Sequence, residues 1–160
     1  MKFIVYLSLL AGLSQITMFG QDTNTISTAN QSMEGTWIVQ MTDAAGNVSL
    51  FEVGTNYPGG SYSGANTNPS HTVHKGVWLR IGDRKFLQTV MFFTHDDKGV
   101  FNGIVKARIY LTLAEDGKSY DSVAERVVMD TAGNVLQVVP GILGHAVRMN
   151  AEMPSTPPTQ

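Results

Sequence analysis

From Gly35 to Arg148 the chain alternates strand-like and turn-like segments without a break, and nowhere between do apolar residues recur at helical spacing. Period-two patterning and β-branched or aromatic content mark strands at 35–42, 47–54, 72–81, 85–95, 99–113, 119–130, 134–139 and 143–149. The segment 99–113 is long enough to bend, and Gly103 is the expected bend or bulge. Strands this short, joined by turns this tight, would leave two exposed margins in an open sheet. Curling the sheet until its last strand pairs with its first removes both. The expected fold is therefore all-β: an eight-stranded antiparallel up-and-down β-barrel.

The turns are as clearly marked as the strands. Asp116-Gly117 is a tight hairpin signal, because glycine accepts the positive φ such turns require. Asp96-Asp97-Lys98-Gly99 is a slightly longer version. The segments 43–48 (DAAGNV) and 130–135 (DTAGNV) differ at one position, but their flanks do not match. Shared turn chemistry, not duplication, accounts for them: an Asp starts the turn and a Gly takes the left-handed position. Their acidic residues do not alternate as a calcium loop requires. One long connection, 55–70, holds Tyr57, Tyr62, three Gly and two Pro, and is expected to lie as a lid over one mouth of the barrel.

Residues 1–20 read as a secretory signal: Lys2 supplies the positive end, and the apolar run 3–13 is too short to span a bilayer. Cleavage is expected near Gly20-Gln21, which makes the mature protein secreted or periplasmic. The polar stretch 21–32 reads as a flexible lead-in, 33–150 as the barrel domain, and the Pro-rich 151–160 as a disordered tail. The chain has no Cys, so export brings no disulfides and stability rests on the packed core. At 42% hydrophobic and 15% charged residues it is neither disordered nor a coiled coil. The formal charge of −2 and the absence of a Lys/Arg run argue against nucleic acid and anionic membranes as partners. Asn30-Gln-Ser32 and Asn47-Val-Ser49 fit the glycan acceptor pattern, which matters only in a eukaryotic secretory route.

Gly35-Thr36-Trp37 on a first strand, a meander of further strands and Arg148 on the last together resemble the lipocalin-like proteins of the calycin superfamily, in particular minimal secreted bacterial domains. The resemblance implies structural roles for Gly35, Trp37 and Arg148, with the Arg packed across the indole at the closed end of the barrel. It also implies binding of a small hydrophobic molecule in the lumen. The family's middle Thr-Asp-Tyr-type motif, its cysteines and its following helix are absent.

The alternation along 99–113 leaves one face wholly apolar, which would make a greasy lumen if turned inward. The expected ligand contacts are Tyr57 and Tyr62 from the lid, Met91, Phe93, Val105 and Ile109 from the wall, and Arg108 as a polar anchor. Either Arg108 or Arg126, turned inward, could hold a ligand carboxylate through two parallel hydrogen bonds. His71, His74, His95 and His145 are all the histidines. The spacing of His71 and His74 suits chelation only in a loop, so no metal and no cofactor are expected. No Cys, no Gly-x-Ser-x-Gly and no phosphate-cradling loop supports nucleophilic or nucleotide chemistry; Gly60-Ser61-Tyr62-Ser63-Gly64 has Tyr at its centre. No catalytic residue is assigned. Two alternatives remain open. One is a barrel enzyme of cyclase or isomerase type, marked by an inward ionisable group such as Glu125, Arg108 or His95. The other is an interaction module with a filled lumen. The oligomeric state is not legible.

Overall fold

The computed structural model describes residues 32–43 and 45–152. The expected signal at 1–20, the lead-in up to residue 31 and the tail from residue 153 lie outside the described residues. The strands are β1 (Gly35–Thr42), β2 (Val48–Asn56), β3 (Ser61–Asn66), β4 (His74–Gly82), β5 (Lys85–His95), β6 (Phe101–Leu113), β7 (Ser119–Met129) and β8 (Val135–Arg148). Each pairs antiparallel with the next, and β8 pairs with β1 to close the barrel. Among the described residues no helix is long and apolar enough to cross a membrane.

Eight strands were expected and eight are found, but two errors cancel. β3 lies inside the segment taken for a lid. Its glycines read as loop residues, yet Gly54 and Gly64 sit in paired strands beside Tyr62, where a Cβ would collide with the phenol ring. Glycine there makes room for a buried side chain. At the other end, 134–139 and 143–149 are one strand. Pro140-Gly141 does not end it but forms a bulge, with β7 pairing Ala124 to Ile142 and Arg126 to Val139. Gly141 takes φ 72° there. The β6 irregularity expected near Gly103 is present one residue earlier: Thr94 faces Gly103 and His95 faces Phe101, which leaves Asn102 unmatched.

The Asp turns share one design. Asp43 Oδ1 accepts from the Ala45 and Asn47 N–H groups at 2.9 Å each, and Asp130 Oδ1 from Ala132 and Asn134 at 2.9 and 2.8 Å. Gly46 and Gly133 follow at φ 84° and 86°.

One end of the barrel is closed by packing. Trp37 is 1% exposed and lies edge-on to Tyr120, with ring centroids 4.9 Å apart. Met33, Val39, Phe86, Leu111, Leu113 and Ala146 complete the cluster. The Arg148 guanidinium stands 4.2 Å from the indole centroid. Its Nε donates to Gly117 O (2.9 Å), one Nη to Ser32 O (2.8 Å) and the other to Glu34 O. The Trp37 Nε1–H donates to Met33 O at 2.9 Å. The chain entering β1 is thus strapped across the barrel floor, with the Arg148 guanidinium and the Trp37 indole N–H answered by backbone carbonyls.

Candidate functional site: the barrel lumen

Above this plug the lumen is open. A cavity of about 400 Å³ runs from the middle of the barrel to the end formed by the β1–β2, β3–β4 and β7–β8 connections. Much of its wall is apolar, with Val39 and Met41 from β1, Val90 and Phe92 from β5, and Ile109 and Leu111 from β6.

One side of this wall is polar. Glu52 is inward on β2 and 5% exposed, and accepts the Tyr62 hydroxyl and the His74 Nδ1–H (3.1 Å) on Oε1. Burial first, and then the charge and hydrogen bond of Glu52, push the Tyr62 phenol far above its ordinary pKa. Tyr120 is raised in the same sense, by burial and then by the Glu52 charge. The His74 ring stacks on Phe92 with centroids 4.1 Å apart and planes 18° apart. Asn66 Nδ2 donates to His74 Nε2 (3.1 Å) and to His71 Nδ1 (2.9 Å). Gln88 also lines the cavity and donates to Asn56 Oδ1 at 2.9 Å.

The two Asn amides are oriented by the backbone. Asn66 Oδ1 takes the Asn68 N–H at 3.0 Å and Asn68 Oδ1 takes the Ser70 N–H at 2.9 Å. Each amide therefore turns its NH2 toward a histidine, and His71 meets such a donor at both ring nitrogens, with Asn68 Nδ2 at 3.2 Å from Nε2. A neutral imidazole has one lone pair and accepts from one of them; a protonated imidazole accepts from neither. Burial, followed by the neighbouring His74 and Arg126 charges, accordingly holds the His71 pKa below its ordinary value.

Arg126 lines the same cavity from β7. Alternation along β7 fixes its facing: Tyr120, Ser122, Ala124 and Arg126 share the inward face, and Arg126 pairs with the cavity-lining Ala107 of β6. Its Nε is buried and has no hydrogen-bond partner among the described residues. An unanswered guanidinium nitrogen beside an apolar cavity is costly unless something brings it an acceptor.

The expected site residues scatter. Tyr62 and Ile109 line the lumen, and Val105 is buried on the same inward face of β6. Tyr57 is exposed and sits at the closed end, in the β2–β3 turn, where its carbonyl accepts the Trp78 Nε1–H at 3.2 Å. Its expected place on a lid is corrected by the existence of β3. Met91 and Phe93 stand on the outer face of β5, 40% and 49% exposed. Both faces of that strand are apolar, and the register turns Phe86, Gln88, Val90 and Phe92 inward instead. Arg108 is on the outside and pairs with Glu125, so neither is the inward ionisable group; nor is His95, whose ring lies 6.4 Å from Phe101 in the β5–β6 hairpin. Among the described residues no group of three or more His, Cys, Asp or Glu could hold a metal ion.

The sequence reading passed over Glu52 and Asn66, and considered His74 without its partners. A signal was available: within 47–54 the inward set is Leu50, Glu52 and Gly54, a lone acid on an otherwise apolar face. An acid in that position is either a register error or a buried functional group.

No family model, no curated protein and no solved structure matches the chain. The closed eight-stranded barrel is compatible with a calycin-like fold.

Proposed function

We propose that the protein is a lipocalin-like binder, exported by its first twenty residues, that takes into its lumen a small, mainly apolar molecule carrying one anionic group. The observation that carries this reading is Arg126. A guanidinium whose Nε is shut away from solvent without a partner faces a cavity with a largely apolar wall. The volume, about 400 Å³, falls within the range of small-molecule sites, ~300–1,000 Å³. A carboxylate, sulfonate or enolate end would pair with the guanidinium, and an alkyl or ring body would displace water from the wall.

The test is titration of the purified protein with anilinonaphthalene sulfonate, an apolar dye with one negative charge, followed by displacement with a medium-chain alkyl carboxylate. Saturable dye fluorescence that the carboxylate displaces, and that the alcohol of equal length displaces roughly tenfold to a hundredfold less well, is expected from one charge-assisted contact. Failure of the dye to bind, or equal displacement by acid and alcohol, removes the reading.

A further inference from the structure

Glu52 does more than hold a tyrosine in place. Both of its hydrogen bonds, from Tyr62 and from His74, fall on Oε1, and Oε2 takes none among the described residues. The carboxylate lines the cavity. One oxygen is clamped and the other opens on a space with a largely apolar wall, so its negative charge is poorly hydrated. The clamp is itself fixed, because His74 is held by Asn66 at Nε2 and by Phe92 on its ring face. A base oriented by a second group, which is oriented by a third, is an arrangement that serves proton transfer. Across the same cavity Arg126 offers an unpartnered N–H where negative charge could collect.

We propose that the lumen catalyses a proton shift on a small β,γ-unsaturated ketone or aldehyde, with Glu52 as the catalytic base and Arg126 as the oxyanion partner. Glu52 Oε2 takes the proton from the carbon between the carbonyl and the double bond. The C–H electron pair moves into the carbonyl, and the enolate oxygen rests on Arg126. Glu52 then returns the same proton to the far end of the delocalised anion, which leaves the α,β-unsaturated isomer. One C–H bond breaks and another forms, and no oxidant, reductant or cofactor takes part. Tyr62 and His74 are positioning residues. This inference rests on the reading of the lumen as an anion-accepting site, and carboxylates then bind because they mimic the enolate.

The experiment uses nitrobenzisoxazole, whose ring opens when one C–H proton is removed: the N–O bond breaks and the electron pair leaves on a coloured phenolate. The full chain is expected to open it with saturation kinetics. Glu52→Gln keeps the acceptor oxygen for Tyr62 and His74 and is expected to lower kcat by about a hundredfold or more, with dye binding retained. Glu52→Asp, which moves the carboxylate back by one methylene, should retain part of the activity. Tyr62→Phe is expected to lower kcat with KM little changed, a split that loss of fold would not give. The alkyl carboxylate should inhibit competitively. Wild-type turnover no faster than that of Glu52→Gln overturns the inference. Should Glu52→Gln fail to fold by circular dichroism, the wild type alone decides: turnover that persists while the carboxylate displaces the dye overturns it. Dye displacement without Glu52-dependent turnover leaves the binding reading standing, whereas no dye binding at all removes that reading first.

Discussion

The two halves of the barrel treat buried polar groups differently. In the closed half the cation and the indole are answered: Arg148 reaches three backbone carbonyls and the Trp37 indole N–H a fourth, with the guanidinium packed on the indole face. In the open half Glu52, Tyr62, His74 and Asn66 answer one another on one wall, while the Nε of Arg126 goes unanswered and about 400 Å³ stays unfilled. The same strands build both halves, so fold requirements alone do not explain the contrast. A buried polar group with a full set of partners speaks of folding; one without them speaks of something that arrives later.

Substitutions in the two halves should therefore separate stability from binding. Trp37→Ala is expected to have the largest effect, a loss of about 3–5 kcal/mol in denaturant unfolding, because it empties the plug and leaves Arg148 without its indole face. A loss under about 1 kcal/mol would mean that the closed half is not the core. Next comes Gly64→Ala, where the added methyl pushes on the Tyr62 ring and Glu52, at a cost of about 1–3 kcal/mol. Arg126→Leu should do the reverse of Trp37→Ala. Stability is expected to hold or rise, since a buried N–H without a partner is removed, while affinity for the alkyl carboxylate falls roughly tenfold to a hundredfold. Loss of stability without loss of affinity would place Arg126 with the structural residues.

pH sharpens the same contrast. Tyr62 and Tyr120 have raised pKa values in the folded chain, so they favour folding below the unfolded value of about 10 and lose that contribution as pH rises above it. Absorbance titration of the five tyrosines should show part of the phenolate signal appearing only on unfolding, with Tyr62→Phe reducing that part. The smallest effect lies in the exposed turns. Asp43 and Asp130 have lowered pKa values, chiefly through hydrogen bonds from Asn47 and Asn134. Their contribution is present above the unfolded value of about 3.9 and is lost as pH falls through the folded one. Asn at both positions should flatten the acid limb of the stability curve slightly and leave ligand affinity unchanged.

The fold was largely legible because turn chemistry is local. An Asp followed by a left-handed Gly marks a hairpin wherever it occurs, and β1 and β5 were placed to the residue. What misled were glycines and a proline with long-range reasons. Gly54 and Gly64 accommodate Tyr62, and Pro140-Gly141 carries a strand through a bulge, so composition suggested a loop where there is a strand and a break where there is none. The site was much less legible, because facing is a property of register. In β5 both alternating sets are apolar, and a one-residue choice exchanged Met91 and Phe93 for Phe92 and Val90. Arg126 was among the candidates, and it points inward because it shares a face of β7 with Tyr120, Ser122 and Ala124. Glu52 and His74 are twenty-two residues apart and meet only through β3, the strand that was read as a lid.

The central claim is that Arg126 awaits an anion in the lumen, and the Arg126 Nε–H resonance in a nitrogen–proton correlation spectrum reports on it most directly. Addition of the alkyl carboxylate should move that one resonance downfield, in the manner of a new charge-assisted hydrogen bond, while the Arg108 resonance on the outer wall stays in place. An Arg126 signal that does not move at saturating carboxylate, or one that moves no more than Arg108, would contradict the account.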